Sequence, residues 1–268
     1  MPPPPVGDFV RRIWALDLDG TDAGPERIVP DGCCEIVLTL QGEVRGSFPG
    51  RAAPDGLVRR PADILVGQAT GAVVVQPLGP VRLLGIRLRT AGAAALLGFP
   101  AAECTDRIVD LADAAPGLRS SLRAAVDGIR EPDAAIAAVA AALRRFVAGR
   151  TPPAAEISSV VGAIRALRPG LTVHGLARGL QWSERRLQRA FAADVGIPPK
   201  LLHRITRVQR ALALAGARPD DTWAAIAARA GYADQPHLVR DFAELAGCRP
   251  SSIRADPAPL RDRMIRYD

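Results

Sequence analysis

The spacing of hydrophobic positions changes once along the chain. Between residues 9 and 89 short apolar runs alternate with Gly, Pro and Asp: Phe9 to Leu18, Cys34 to Leu40, Leu57 to Arg59, Ile64 to Gly67, Val73 to Gln76 and Val81 to Leu88. The last run ends in a period of two, which sends alternate side chains to opposite faces of a strand. This pattern predicts a mostly antiparallel β-domain, a barrel or a sandwich. The longest uncharged stretch, Ile64 to Val81, contains Gly67, Gly71, Pro77, Gly79 and Pro80 and reads as two strands with turns, not as a membrane span. Beyond residue 90 the period becomes helical. Ala91 to Leu97, Leu118 to Ile129 and Pro132 to Ala148 read as helices, the last two Ala-rich and amphipathic. Their apolar stripe (Leu122, Ala125, Ile129; Ile136, Val139, Leu143, Phe146, Val147) either closes the β-domain or forms a homodimer interface. Thr151-Pro152-Pro153 then marks a linker, dividing the chain into a β-rich part with helices, 1–150, and an all-α part, 151–268.

The all-α part contains one small pattern twice. Ser183 to Phe191, closed by Gly196 and Pro199, recurs as Asp234 to Phe242, closed by Gly247 and Pro250. The pairs Leu187/Leu238, Arg189/Arg240 and Phe191/Phe242 keep an offset of 51 residues, and Leu176-Ala177 pairs with Ile226-Ala227 at an offset of 50. A repeat that survives an insertion in its turn is a structural unit copied twice. Each copy reads as a short helix, a tight turn and a second helix that Ser183 or Asp234 caps, with Pro236 tolerated in the first turn. Two helix-turn-helix units joined by a long helix from Pro199 to about Ala215 are therefore predicted.

At 100° per residue, Leu187 and Phe191 share one side of the first unit's second helix while Arg185 and Arg189 lie opposite and Gln188 sits between. Two guanidinium forks and an amide are the groups that read guanine and adenine edges in a major groove. In the second unit the outward positions hold Gln235, Pro236, Val239 and Arg240, a poorer reading set. On an arbitrary helix a pair of arginines four residues apart is more often a solvated face, but a solvated face does not require the same Arg in both copies. Charge supports the binding surface. Residues 171–255 hold 13 Arg or Lys against 7 Asp or Glu, a net of +6, out of +7 for the whole chain.

The segment from about Ile157 to Arg254 resembles the DNA-binding domain of the AraC/XylS family of bacterial transcription regulators. The residues that carry the resemblance are Leu176-Ala177, Ser183, Leu187, Arg189, Phe191, Gly196 and Pro199, then Arg207-Val208 and Ala211, and finally Ile226-Ala227, Gly231-Tyr232, Asp234, Leu238, Arg240, Phe242, Gly247, Pro250 and Ile253-Arg254. The resemblance implies double-stranded DNA as partner, with two recognition helices entering successive major grooves roughly 34 Å apart. It places the base-facing positions at Glu184, Arg185, Gln188 and Arg189 and at Gln235, Pro236, Val239 and Arg240. Pro236 cannot donate a hydrogen bond, and Glu184 repels phosphate unless it accepts from a cytosine amino group. The first unit is therefore expected to specify and the second to position. Arg186, Arg204, Arg207 and His237 are the candidates for phosphate contact, with Arg207 also open to a buried structural pairing. An activator of this kind would also meet RNA polymerase.

Val29-Pro30-Asp31-Gly32-Cys33, Gly85-Ile86-Arg87-Leu88 and residues 92–102 resemble an uncharacterised N-terminal domain found on a subset of AraC-like regulators. That implies a sensory or assembly domain, cupin-like by analogy, which a small-molecule effector could modulate. Its interior set would include Trp14 with some of Ile36, Leu38, Val66, Val73, Val75, Leu84, Ile86 and Leu88. A metal-dependent barrel enzyme needs histidines, and the chain's three, His174, His203 and His237, all lie in the other part. No enzyme, metal or cofactor is expected. The alternative is a DNA-repair alkyl-acceptor or other thiol-reactive protein on the same DNA-binding domain, which would need a reactive Cys near the linker or in a Cys₄ zinc site. Cys33 and Cys34, with Cys104 in reserve, read either as small core residues or as a thiol sensor. The opening Met1-Pro-Pro-Pro-Pro predicts no signal peptide, and four cysteines without CxxC spacing predict reduced thiols, both in keeping with the cytoplasm.

Overall fold

The computed structural model describes residues 5–19, 24–47, 58–59, 62–167, 171–254 and 265–267. The N-terminal part is one antiparallel sheet, and its strands are β1 (Val10–Leu18), β2 (Glu26–Ile28), β3 (Glu35–Ser47), β4 (Val58–Arg59), β5 (Asp63–Val66), β6 (Val73–Leu88), β7 (Ile108–Asp110) and β8 (Ile265–Tyr267). The spatial order is β7-β5-β3-β6-β1-β8, with β2 added to β6 and β4 to β3. β8 is contributed by the C-terminal tail and pairs Ile13 to Ala15 of β1. Period-two patterning divides β1 as a strand must: Ile13 and Ala15 join Ile36, Leu38, Leu84, Ile86 and Leu88 in one core, while Trp14, Leu16 and Leu18 join Val81 and Leu83 on the other face.

Two expectations are corrected here. Among the described residues the sheet does not close into a barrel, since the end strands β7 and β8 pair with β5 and β1 and not with each other. Helices α3 (Pro116–Val126) and α4 (Pro132–Val147) cover one face instead, and Leu118, Leu122, Ile136, Val139, Leu143 and Val147 are buried against it. The amphipathic stripe thus closes its own domain. The second correction concerns Val73 to Leu88, which forms one 16-residue strand where two were expected. Gly79 (φ 66°) lets the strand bend between the prolines, and β3 accommodates the bend with register shifts around Gln41 and a left-handed Gly42 (φ 85°). An added Cβ at Gly42 would lie 2.2 Å from the Pro80 carbonyl, so the two segments close on each other there.

α1 (Gly92–Leu97), a single 3-10 turn over Ala101–Cys104 and α2 (Leu111–Ala114) connect the sheet to α3. The C-terminal helices are α5 (Ala155–Arg165), α6 (Val173–Gly179), α7 (Glu184–Val195), α8 (Pro199–Ala217), α9 (Trp223–Arg229), α10 (Gln235–Leu245) and α11 (Pro250–Arg254). The internal repeat shows in the caps. Thr172 and Thr222 cap α6 and α9, Ser183 and Asp234 cap α7 and α10, and each side chain accepts from a backbone N–H three residues on. Gly196 (φ 89°) and Gly247 (φ 64°) follow the second helices in the left-handed conformation. The turn inside the first unit puts Gln181 at φ 56°, where the second uses Gly231 at φ 85°. Leu187, Phe191, Leu202, Ile205, Val208, Leu238 and Phe242 form the core beneath both units, and Trp223 meets Phe242 edge-on at 5.8 Å.

One electrostatic device appears in both parts. Asp63 on β5, 2 % exposed, accepts from Arg119 Nε (2.7 Å) and Arg123 Nε (2.8 Å) of α3. Asp241 on α10, also 2 % exposed, accepts from Arg204 Nε (2.8 Å) and Arg207 Nη2 (3.0 Å) of α8. A buried carboxylate holding two charge-assisted bonds ties each neighbouring helix in one orientation.

Candidate nucleic-acid interface

The first helix-turn-helix unit turns its expected reading face outward. Leu187 and Phe191 anchor α7 with no exposed surface, while Glu184, Arg185, Arg186, Gln188 and Arg189 are exposed. Ser183 starts the helix so that these side chains occupy its first two turns, where a recognition helix presents its N-terminal residues to base edges. Arg186 stacks its guanidinium 4.2 Å above the Trp182 ring, which fixes one phosphate candidate beside the turn. Glu184 Oε1 lies 3.0 Å from His174 Nδ1 on α6, so that carboxylate has a partner of its own that the sequence did not point to.

On α10, Gln235, Pro236 and Arg240 are exposed and Val239 is half-buried against the C-terminal core. The other side of this helix faces α8 through the Asp241 cluster. Arg204 also pairs with Glu244, and Arg207 lies 4.5 Å above the Tyr232 ring and 3.3 Å from His237 Nε2. His237 in turn meets Tyr232 edge-on at 5.2 Å. Three of the phosphate candidates, Arg204, Arg207 and His237, therefore belong to one packed network centred on Asp241, a residue the sequence reading did not single out. Burial raises the Tyr232 hydroxyl above its ordinary pKa and, with the Arg207 charge, lowers that of His203.

Between the two units opens a cleft of about 620 Å³ lined by Thr172, Lys200, His203, Arg204, His237 and Arg240 among others. Its lining holds four Lys or Arg side chains, Lys200, Arg204, Arg207 and Arg240, against Asp241 and Glu244. Both acids are engaged by Arg204, while Lys200 and Arg240 of the lining are exposed.

The thiol candidates lie elsewhere. Cys34 is buried in the sheet core in hydrogen-bond contact with Cys104, and that contact and burial hold its thiol well above its usual pKa. Cys33 is half-buried at the junction of the two parts, with Arg165 Nη2 at 3.5 Å and Thr90 Oγ1 at 4.0 Å; burial, then Asp31, raises its pKa against three nearby arginines. A protonated thiol is a poor nucleophile. Trp14 is on the opposite sheet face from Ile36, Leu84 and Ile86, its Nε1 donating to Glu35 (2.6 Å) and its ring covering Gly85. The expected single apolar interior is thus split between two faces.

The sequence reading also missed a set of contacts that join the two parts. Arg165 of α5 donates to Thr90 Oγ1 (3.1 Å) and to the carbonyls of Asp31 (3.0 Å) and Gly32 (3.1 Å). Gln209 of α8 donates to the carbonyls of Val29 (3.2 Å) and Pro30 (2.7 Å). The sequence separations, 75 to 180 residues, leave no local signal.

Residues 1–110 match the family model described as a domain of unknown function, DUF6597, and residues 176–256 match a helix-turn-helix domain. Among solved structures, a lysine-to-alanine variant of apo ToxT from Vibrio cholerae superposes with a TM-score of 0.50 at 12% identity, covering 91% of this chain and 96% of that one. ToxT bound to (E)-4-(8-methylnaphthalen-1-yl)but-3-enoic acid gives a TM-score of 0.50 at 10% identity, covering 91% and 97%. The C-terminal domain of AraT, a response regulator from Geobacillus stearothermophilus, covers 38% of this chain and 85% of its own at 23% identity, with a TM-score of 0.36. No curated protein matches. The helix-turn-helix domain is of the kind that DNA-binding transcription regulators carry. More particularly, the chain carries an AraC-type helix-turn-helix domain behind a DUF6597 domain.

Proposed function

We propose that the chain binds two successive major grooves on one face of double-stranded DNA, with α7 specifying the site and α10 positioning the protein on it. The exposure of Arg185, Gln188 and Arg189 on a helix anchored from behind by Leu187 and Phe191 carries this reading. These are the groups that make bidentate contacts to guanine and adenine. On α10 the poorer set, Gln235, Val239 and Arg240, suits register more than readout. The cleft between the units, with the exposed Lys200 and Arg240 in its lining, suits the phosphates that separate the two grooves. Selection of sequences from a random duplex library by the full chain tests this. Enrichment of a two-part motif with halves about one helical turn apart is expected, with affinity falling steeply as salt rises. No enriched motif at moderate salt defeats the reading.

The N-terminal part is proposed to modulate that binding. The contacts of Arg165 and Gln209 give it a direct mechanical hold on α5 and α8. The ToxT structure with a small arylbutenoic acid suggests an apolar carboxylic acid as effector class. A thermal-shift screen of such acids, repeated for DNA affinity, tests that part separately.

A further inference from the structure

We propose that Thr105 and Arg27, both outside the DNA-binding domain, are positioning residues that fix the spacing between the two recognition helices and so select the spacing of the two half-sites. The inference rests on the two-groove reading above. Thr105 Oγ1 donates to the carbonyl of Gly196 at 2.8 Å, the residue that closes α7. Arg27 Nη1, from β2, donates to the carbonyls of Ala246 (3.1 Å) and Gly247 (3.3 Å), which close α10. Gly196 and Gly247 are the same position of the internal repeat, so the N-terminal part holds the two units at equivalent points.

The chemistry at both points is that of a helix C-terminus. The last carbonyls of a helix have no partner within it, and the end carries partial negative charge. A hydroxyl donor takes one such end and a guanidinium the other. Both glycines are also closely approached. A Cβ at Gly196 would lie 2.9 Å from Thr105 Oγ1 and 3.0 Å from the Ala101 carbonyl, and one at Gly247 would lie 2.7 Å from Arg27 Nη1. Between the two grips the loop carrying Gly32 lies against Leu202 of α8, where a Cβ would approach a Leu202 methyl to 2.4 Å. One body therefore touches the first unit, the connecting helix and the second unit.

The grips do not cover the reading faces. Arg185, Gln188 and Arg189 lie in the first turns of α7, at the end away from Gly196, and remain exposed. Gln235 and Arg240 of α10 are exposed as well. An arrangement that leaves both faces open while fixing both far ends constrains distance and rotation between them. Inserting one base pair displaces the second half-site by about 3.4 Å and roughly a tenth of a turn, so a fixed pair of readers must lose contacts there.

The test uses the full chain and its own selected motif, remade with −2, −1, +1 and +2 base pairs between the halves. Wild type should lose roughly tenfold or more for one added base pair, the size of a mismatch penalty. The double variant Arg27→Ala, Thr105→Val should lose no more than about threefold for the same insertion, while its affinity for a duplex carrying only the first half stays unchanged. Thr105→Ser should restore part of the selectivity, because it keeps the hydroxyl donor. Leu122→Ala, a core truncation in the same domain, controls for stability: at equal loss of melting temperature it should leave the spacer profile sharp. A double variant that keeps the wild-type profile, or loses affinity equally at every spacing, overturns the proposal and leaves the DNA-binding reading standing. Failure of wild type to select any two-part motif overturns both.

Discussion

Arg185 and Arg189 project from α7 into solvent, whereas Arg204 and Arg207 converge on the buried carboxylate of Asp241. The same side chain therefore has two expected phenotypes. Arg189→Ala should cost about 1–3 kcal/mol on the selected site and flatten preference at one base pair, with little effect on random duplex, as read by competition mobility shifts. Asp241→Ala leaves two guanidinium groups without their shared acceptor and should lower stability in urea denaturation by about 3 kcal/mol. The loss is held to that size because Arg204 keeps Glu244 and some solvent. Full stability in that variant would contradict a structural role for the cluster. His203, beside the same network, gives a pH signature. Burial and Arg207 lower its pKa from 6.5, so the unfolded chain takes up a proton that the folded chain refuses. This contribution is level above pH 6.5 and costs stability as the pH falls through that value toward the lowered one. His203→Gln should reduce the loss of stability between pH 7.5 and 5.5. Arg189 was legible in the sequence because the repeat places an Arg at its position twice, as Arg189 and Arg240. Asp241 was not, because its two partners lie 37 and 34 residues away on another helix and nothing local marks an acid as buried.

At the scale of elements, caps and period carried most of the information. Ser183, Asp234 and Pro199 start helices where their chemistry says helices start, and burial alternates from Glu35 to Leu38 at the start of β3. Val73 to Leu88 misled because prolines and glycines were weighed as breakers, whereas here they bend a strand that β3 pairs on both sides of the bend, while along the other edge β1 pairs Val81 to Leu88 and β2 pairs Val73 to Val75. The open sheet was missed for a related reason: alternation says that a strand has two faces, not what covers each. Gly85 shows how tightly the second face is filled. It pairs with Trp14 across β1 and β6, and an added Cβ would lie 1.9 Å from a ring carbon. Gly85→Ala should push the indole out of its seat, break its bond to Glu35 and destabilise the chain by about 1–3 kcal/mol. A red shift of tryptophan emission together with a lower denaturation midpoint is the expected result, and an unshifted spectrum would show the seat to be looser than this.

Across the whole molecule, the two cores meet through a small number of specific bonds. Ala91, at the head of α1, is buried in the C-terminal core, and the loop from Val29 to Cys33 lies along α5 and α8. Buried backbone carbonyls at such a junction need donors, and Arg165 and Gln209 supply them. These contacts couple the two parts in unfolding as well as in geometry, because separating the parts strands four carbonyls and two long polar side chains at once. Wild type should therefore unfold in calorimetry as one transition. Arg165→Ala together with Gln209→Ala removes the donors while leaving both apolar cores intact, and should resolve that transition into two. Hydrogen exchange distinguishes this from general weakening: amides of α5 and α8 facing the junction should lose protection, whereas those of β3 and β6 in the sheet core keep it. A single, merely lower transition would mean that the contacts left in place, the apolar packing around Ala91 with the bonds of Thr105 and Arg27, couple the parts and that Arg165 and Gln209 only orient them.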